Sequence, residues 1–118
     1  MPITKQYDLE DRTFEFARRC KDLINRLPQN IPNRKYGDQL ARPSGSVAAN
    51  YIEANESLSK KDFVLRVKIS RKEAKESRLW LKLCEVGENL DLLKEQEELI
   101  QEATELIKIF TSIIEKSK

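Results

Sequence analysis

The sequence reads as an all-α protein, an antiparallel four-helix bundle. Apolar residues recur at steps of three and four in four separate stretches, and no stretch alternates at period two for long enough to make a strand. Only 3 Gly and 4 Pro occur in 118 residues, too few for a turn-rich β-protein, while 36% of residues are charged, as long solvated helices require. Four amphipathic helices joined by short loops bury their stripes most simply against one another. The length suits a single domain over residues 1–118, built on one core.

The first helix is expected over residues 9–27. Asp8 is placed to cap it, Glu10 and Asp11 suit the positive end of the dipole, and Pro28 closes it. Leu9, Phe16, Ala17, Cys20, Leu23, Ile24 and Leu27 share one stripe, and Phe14 lies off it. Asn33 is a candidate cap for a second helix over 33–56, with Tyr36, Leu40, Pro43, Val47 and Ala54 inward. An interior proline removes a ladder bond and clashes with the preceding turn, so Pro43 predicts a kink or break near Ala41–Arg42. The third helix is expected over 59–86. Ser59 and Asp62 approximate a capping box, and Gly87 stands where a helix commonly ends. The fourth runs over 90–115, with Leu92, Leu99, Ala103, Leu106, Phe110 and Ile113 along its stripe.

Composition narrows the function. His is absent, which removes the commonest general base and metal ligand and every Ser/His or Cys/His nucleophile pair. The expectation is therefore no enzyme, no metal and no cofactor. Cys20 and Cys84 lie within apolar helical patterns. They read as two buried thiols, with one disulfide as the alternative. No apolar run approaches the ~18 residues of a membrane span. The first eleven residues are polar and acidic, unlike a signal peptide. A cytoplasmic protein with no membrane partner follows.

The net charge of +2 conceals an uneven distribution. Residues 59–87 hold nine basic and four acidic side chains, or +5; residues 88–118 hold four basic and eight acidic, or −4. At ~100° per residue, Lys60, Lys61, Lys68, Arg71, Lys72, Lys75, Arg78 and Lys82 fall within an arc of about 120° on the third helix. Such a stripe is a candidate phosphate-binding track for RNA or DNA, because aligned cations release condensed counterions. It carries no base-reading motif. The competing reading is a solvated face paired with the acidic fourth helix, in a protein-interaction scaffold that binds no nucleic acid.

Apolar coverage of the third helix exceeds one bundle face. Leu65, Ile69, Trp80 and Leu83, with Phe14, are candidates for an interface in a homo-oligomer. Arg66 points toward the apolar side and calls for carboxylate partners such as Glu53 or Glu73. Arg42, Asn50, Glu53, Arg66, Glu73 and Glu76 are candidates for an interhelical polar network. As carboxylates, Glu53, Glu73 and Glu76 also admit a catalytic or metal-binding reading; salt bridges that set helix register are favoured.

These residues carry a resemblance. Gln39-Leu40-x-Arg42-x-x-x-Ser46-Val47-x-Ala49-Asn50-x-x-Glu53-Ala54, then Ser59-Lys60-Lys61-Asp62-Phe63, then Lys72-Glu73-Ala74-x-Glu76-Ser77-x-x-Trp80-Leu81-x-Leu83, resemble the small bacterial four-helix bundle proteins encoded in 23S ribosomal RNA intervening sequences. Tyr7-Asp8-Leu9-Glu10 with Phe14 and Ala17 resembles that family's first helix. The resemblance spans nearly the whole chain. It implies an up-down-up-down, left-handed bundle assembling into a ring-shaped homopentamer, without known catalytic activity. A related bundle, the accessory variability determinant of diversity-generating retroelements, is a pentameric barrel that binds nucleic acid and partners a reverse transcriptase. A nucleic acid and a reverse transcriptase are the partners of the alternative reading that this second resemblance offers. Pro43 departs from the pattern, which expects a small residue such as Ser there.

Overall fold

In the computed structural model, which describes residues 5–118 and side chains from Leu9 onward, four helices follow one another: α1 (Lys5–Arg26), α2 (Ile31–Asn55), α3 (Lys60–Leu83) and α4 (Leu90–Lys116). Each packs against two others, α1 on α2, α2 on α3, α3 on α4 and α4 back on α1, while the diagonal pairs stay apart. This closes a four-helix bundle. Pairings across the helices run in opposite senses. Asn55 reaches Glu10 while Gly37 faces Ile24 and Leu27, and Arg71 and Arg78 reach Thr111 and Thr104 in that order. Neighbours are therefore antiparallel.

The core is the set of inward stripes: Phe16, Cys20 and Leu23 from α1; Leu40, Val47 and Tyr51 from α2; Val67, Ala74 and Leu81 from α3; Leu92, Leu99, Leu106 and Phe110 from α4. Tyr51 and Phe110 tilt against each other across the bundle, their rings 6.0 Å apart. Both cysteines are free and buried. Burial pushes the Cys84 thiol up to about 11 and raises that of Cys20 further.

Several boundaries differ from expectation, each for a local reason. α1 begins at Lys5, so Asp8 sits inside the helix and does not cap it; the side chains of Tyr7 and Asp8 lie outside the described residues. The cap of α2 is Asn30, not Asn33. Its side chain accepts the Asn33 N–H at 2.8 Å, and Pro32 occupies the first turn, where a missing N–H loses nothing. Pro43 does not break α2, which runs uninterrupted to Asn55 with Pro43 buried in it. The proline deprives the Gln39 carbonyl of its usual donor without ending the helix.

α3 starts as expected, with the Ser59 hydroxyl accepting the Asp62 N–H at 3.1 Å, yet it stops at Leu83, short of residue 86. Two amides from other elements end it. Gln96 of α4 donates to the Leu81 and Cys84 carbonyls at 2.8 and 2.7 Å. Asn33 accepts the Glu85 N–H and donates to the Glu85 and Pro28 carbonyls, all at 2.8 Å. The chain leaves the helix extended at Cys84 and turns at Gly87, whose φ of 67° suits glycine. Asn33 thus joins the α1–α2 loop to the α3–α4 loop. Asn89 then caps α4 by accepting the Leu92 N–H at 3.0 Å. Among the described residues no helix is long and apolar enough to cross a membrane.

Candidate nucleic-acid interface

α3 is packed on its inner side between α2 and α4, which leaves its outer side to solvent. Lys60, Lys61, Lys68, Lys72, Lys75 and Lys82 are exposed there; Arg71 and Arg78 are half-buried along the edge facing α4. The two arginines rest on threonines. Arg78 donates to the Thr104 hydroxyl at 3.1 Å and Arg71 to that of Thr111 at 3.3 Å. Each threonine gives its own proton to a carbonyl one turn back, Ile100 or Ile107, so its oxygen is free to accept the guanidinium.

Among the described residues, none of these eight cations forms an ion pair. Three carboxylates of α4 pair instead with α1, while Glu105 pairs with Lys108 of its own helix. Arg12 holds Glu102 with two hydrogen bonds of 3.0 and 2.7 Å. Arg19 holds Glu95 at 2.9 and 2.6 Å and reaches Glu98 at 2.7 Å. The hydrogen bond from Arg19 keeps the Glu95 carboxyl below its usual range, against a smaller opposing effect of burial. Among the described residues no ion pair joins α3 to α4. The ion pairs of α4 with another helix thus go to α1, not to the segment whose charge of +5 faces its −4.

The other flank of α3 meets α2 through a chain of polar contacts. Arg42 donates to both oxygens of Glu73, at 2.8 and 3.3 Å, and to Glu76 at 3.3 Å. The Ser46 hydroxyl donates to Glu73 at 3.0 Å; Asn50 donates to the Ser46 hydroxyl at 2.9 Å and accepts from Arg66 at 3.1 Å. Glu73 is only 5% exposed, and the Arg42 hydrogen bond, aided by Ser46, holds its carboxyl below the ordinary range. Arg42, Asn50, Arg66, Glu73 and Glu76 are thus brought together. Glu53 is not: it is exposed on α2, and its backbone carbonyl accepts the Ser57 hydroxyl. Arg66 is exposed and bonded to an amide, not buried against a carboxylate. Its position at the edge of the apolar arc lets the long side chain reach outward.

The apolar candidates separate into two places. Phe14, 61% exposed, is on α1, which lies diagonal to α3. Leu65, Ile69 and Leu83 are on α3, the two leucines exposed and Ile69 half-buried. Trp80 stacks on Tyr36 of α2, ring centroids 5.7 Å apart and planes 22° apart, which closes part of the α2–α3 seam. Sequence reasoning missed Ser46, the link between Glu73 and Asn50, although its spacing of four from both Arg42 and Asn50 placed it on the same face. It also missed Leu79, which is exposed within the basic arc. Among the described residues no three His, Cys, Asp or Glu side chains are grouped so as to hold a metal ion.

Comparison with known proteins follows the same lines. A crystal structure from Bacteroides thetaiotaomicron, of a protein with unknown function from the S23 ribosomal protein family, is similar in fold, with a TM-score of 0.76 and 29% identity over 95% of this chain and 99% of that one. None of the curated proteins matches this chain. The model of the 23S rRNA-intervening sequence protein family matches residues 5–112. With the motifs of α2 and α3 lying inside that match, the chain belongs to the 23S rRNA-intervening sequence protein family.

Proposed function

We propose that this protein is a non-catalytic helical bundle that self-associates and binds structured RNA or DNA through the outer face of α3. The observation that carries the reading is the row of eight cations that, among the described residues, form no ion pair, next to a helix three of whose carboxylates are engaged on α1. A cationic row along a rigid helix of 24 residues, ~36 Å long, matches a run of backbone phosphates and reads no bases. Self-association would multiply such rows, so that weak contacts add. Of the two apolar patches, the one at Phe14 is taken as the surface for it, with Ile52 of α2 added to the sequence candidates and the α3 residues Leu65, Ile69, Trp80 and Leu83 as the alternative. Phe14 lies one turn beyond Glu10 and Ile52, 48% exposed, lies three residues before its partner Asn55, so the two stand at one level. A ring of five copies is the assembly that the family resemblance implies.

The test is a variant with Lys68, Arg71, Lys75 and Arg78 each replaced by Glu, titrated against an RNA hairpin and checked for helicity by circular dichroism. The reading predicts unchanged helicity and loss of binding. Unaltered RNA affinity sinks the assignment of the stripe. Light scattering on Phe14→Glu examines the assembly separately: a fall in mass is expected, and an unchanged mass removes α1 from the interface.

A further inference from the structure

The outer face of α3 holds more than charge. Leu65, Ile69, Lys72, Glu76, Leu79 and Leu83 follow one another at alternating steps of four and three. That is the spacing of a coiled-coil seam, which stays on one side of a straight helix with a drift of only ~20° per heptad. Leu65, Leu79 and Leu83 are 53%, 49% and 39% exposed, and Ile69 is half-buried. Two apolar pairs thus stand open to solvent, separated by a Lys72/Glu76 rung.

The two edges of this seam differ. On one edge Glu73 and Trp80 are engaged against α2, by Arg42 and Tyr36. On the other edge stand Lys61, Lys68, Lys75 and Lys82, one at every seventh residue, all exposed and, among the described residues, none in an ion pair. Edge residues choose the partner of a coiled coil. Here the only free edge is uniformly cationic.

We propose that this face docks an amphipathic helix from another protein, apolar along the seam and acidic along the edge that meets the four lysines. A second copy of α3 does not fit: antiparallel pairing sets lysine against lysine, and parallel pairing needs Glu73, which Arg42 and Ser46 hold in the bundle. Glu95, Glu98 and Glu102 of α4 are also engaged, on Arg12 and Arg19. The Lys72/Glu76 rung gives the seam a polar layer that fixes the register of the incoming helix. This docking does not rest on nucleic-acid binding, but the two ligands share the lysines and exclude each other.

The experiment uses the full chain and two fluorescently labelled helical peptides of three heptads, both with Leu at the seam positions. One carries Glu at every edge position and the other Lys. The Glu peptide is expected to bind at least tenfold more tightly than its Lys twin, to be lost by at least tenfold in Leu65→Ser/Leu79→Ser, and to be displaced by an RNA hairpin. Leu65 and Leu79 are exposed, so the variant keeps its fold; circular dichroism confirms this. Equal binding of the two peptides, or undiminished binding to the serine variant, overturns the proposal. RNA binding with no binding of either peptide also overturns it while leaving the nucleic-acid reading standing. Binding of the Glu peptide with no RNA binding at low salt supports the seam and refutes the nucleic-acid reading.

Discussion

Replacing Asn33 with Ala should weaken both ends of the loop layer at once. The side chain is 5% exposed and makes three hydrogen bonds of 2.8 Å, two to Glu85 and one to Pro28. A typical intramolecular hydrogen bond contributes about 0.5–1.5 kcal/mol net, so three set a scale of about 3 kcal/mol. Glu85 and Pro28 are themselves exposed, and water takes over part of what Asn33 releases, which lowers the expectation to about 2 kcal/mol. In a chain of this size that corresponds to a Tm lower by about 8 °C. Urea denaturation of wild type, Asn33→Ala and Asn30→Ala measures it. Asn30 loses a cap, for which about 1 kcal/mol is the usual effect, and a long, exposed hydrogen bond of 3.4 Å to the Glu85 carboxylate. If Asn33→Ala costs less than Asn30→Ala, the idea that Asn33 ends α3 and ties the two loops together is wrong.

Other outcomes follow from single groups. Glu73 and Glu95 have carboxyls held below their unfolded values by Arg42 and Arg19, so the stability they contribute is present above the unfolded value near 4.3 and is lost as pH falls through the folded value. Tm should therefore drop below about pH 4.5. Glu73→Gln or Glu95→Gln should flatten that drop, and an equally steep profile in both variants contradicts the assignment. With both cysteines free and buried and their thiols raised, a thiol reagent at pH 8 should find neither in the native protein and two per chain in denaturant. The Ser77 hydroxyl is buried without a hydrogen-bond partner, so Ser77→Ala should stabilise the chain by about 0.5–1 kcal/mol in urea titrations. A loss of stability there indicates that the hydroxyl is satisfied in solution.

What the sequence revealed and what it hid divide along physical lines. The stripes of α1 and α4 were legible because their apolar residues repeat within the helix itself, and the core of Phe16, Leu23, Leu99 and Phe110 follows from that period alone. The ends of α2 and α3 were not. Asn30 and Asn33 are both competent caps, and only the placement of Pro32 in the first turn decides between them. The end of α3 depends on Gln96 and Asn33, whose partners come from elements that no local window includes. At the candidate site, the basic face of α3 was visible on a helical wheel, as were most members of the Arg42–Glu73 network. Where the acids of α4 go was not visible: a segment charge does not say which neighbour it meets, and Arg12 and Arg19 meet it here. The solvent seam through Leu79 is hard to see in the sequence because that leucine falls within the arc that the basic residues dominate.

The unpaired cations of α3 are the centre of this account, and the salt dependence of nucleic-acid binding tests them most directly. If all eight engage phosphates, log affinity for a double-stranded probe should fall with log salt at a slope of about −7, from about 0.9 per phosphate neutralised. Alanine at Lys68, Arg71, Lys75 and Arg78 should bring that slope to about −4 while the helicity stays constant. Absence of binding even at low salt, or a slope that the four substitutions leave unchanged, contradicts the claim.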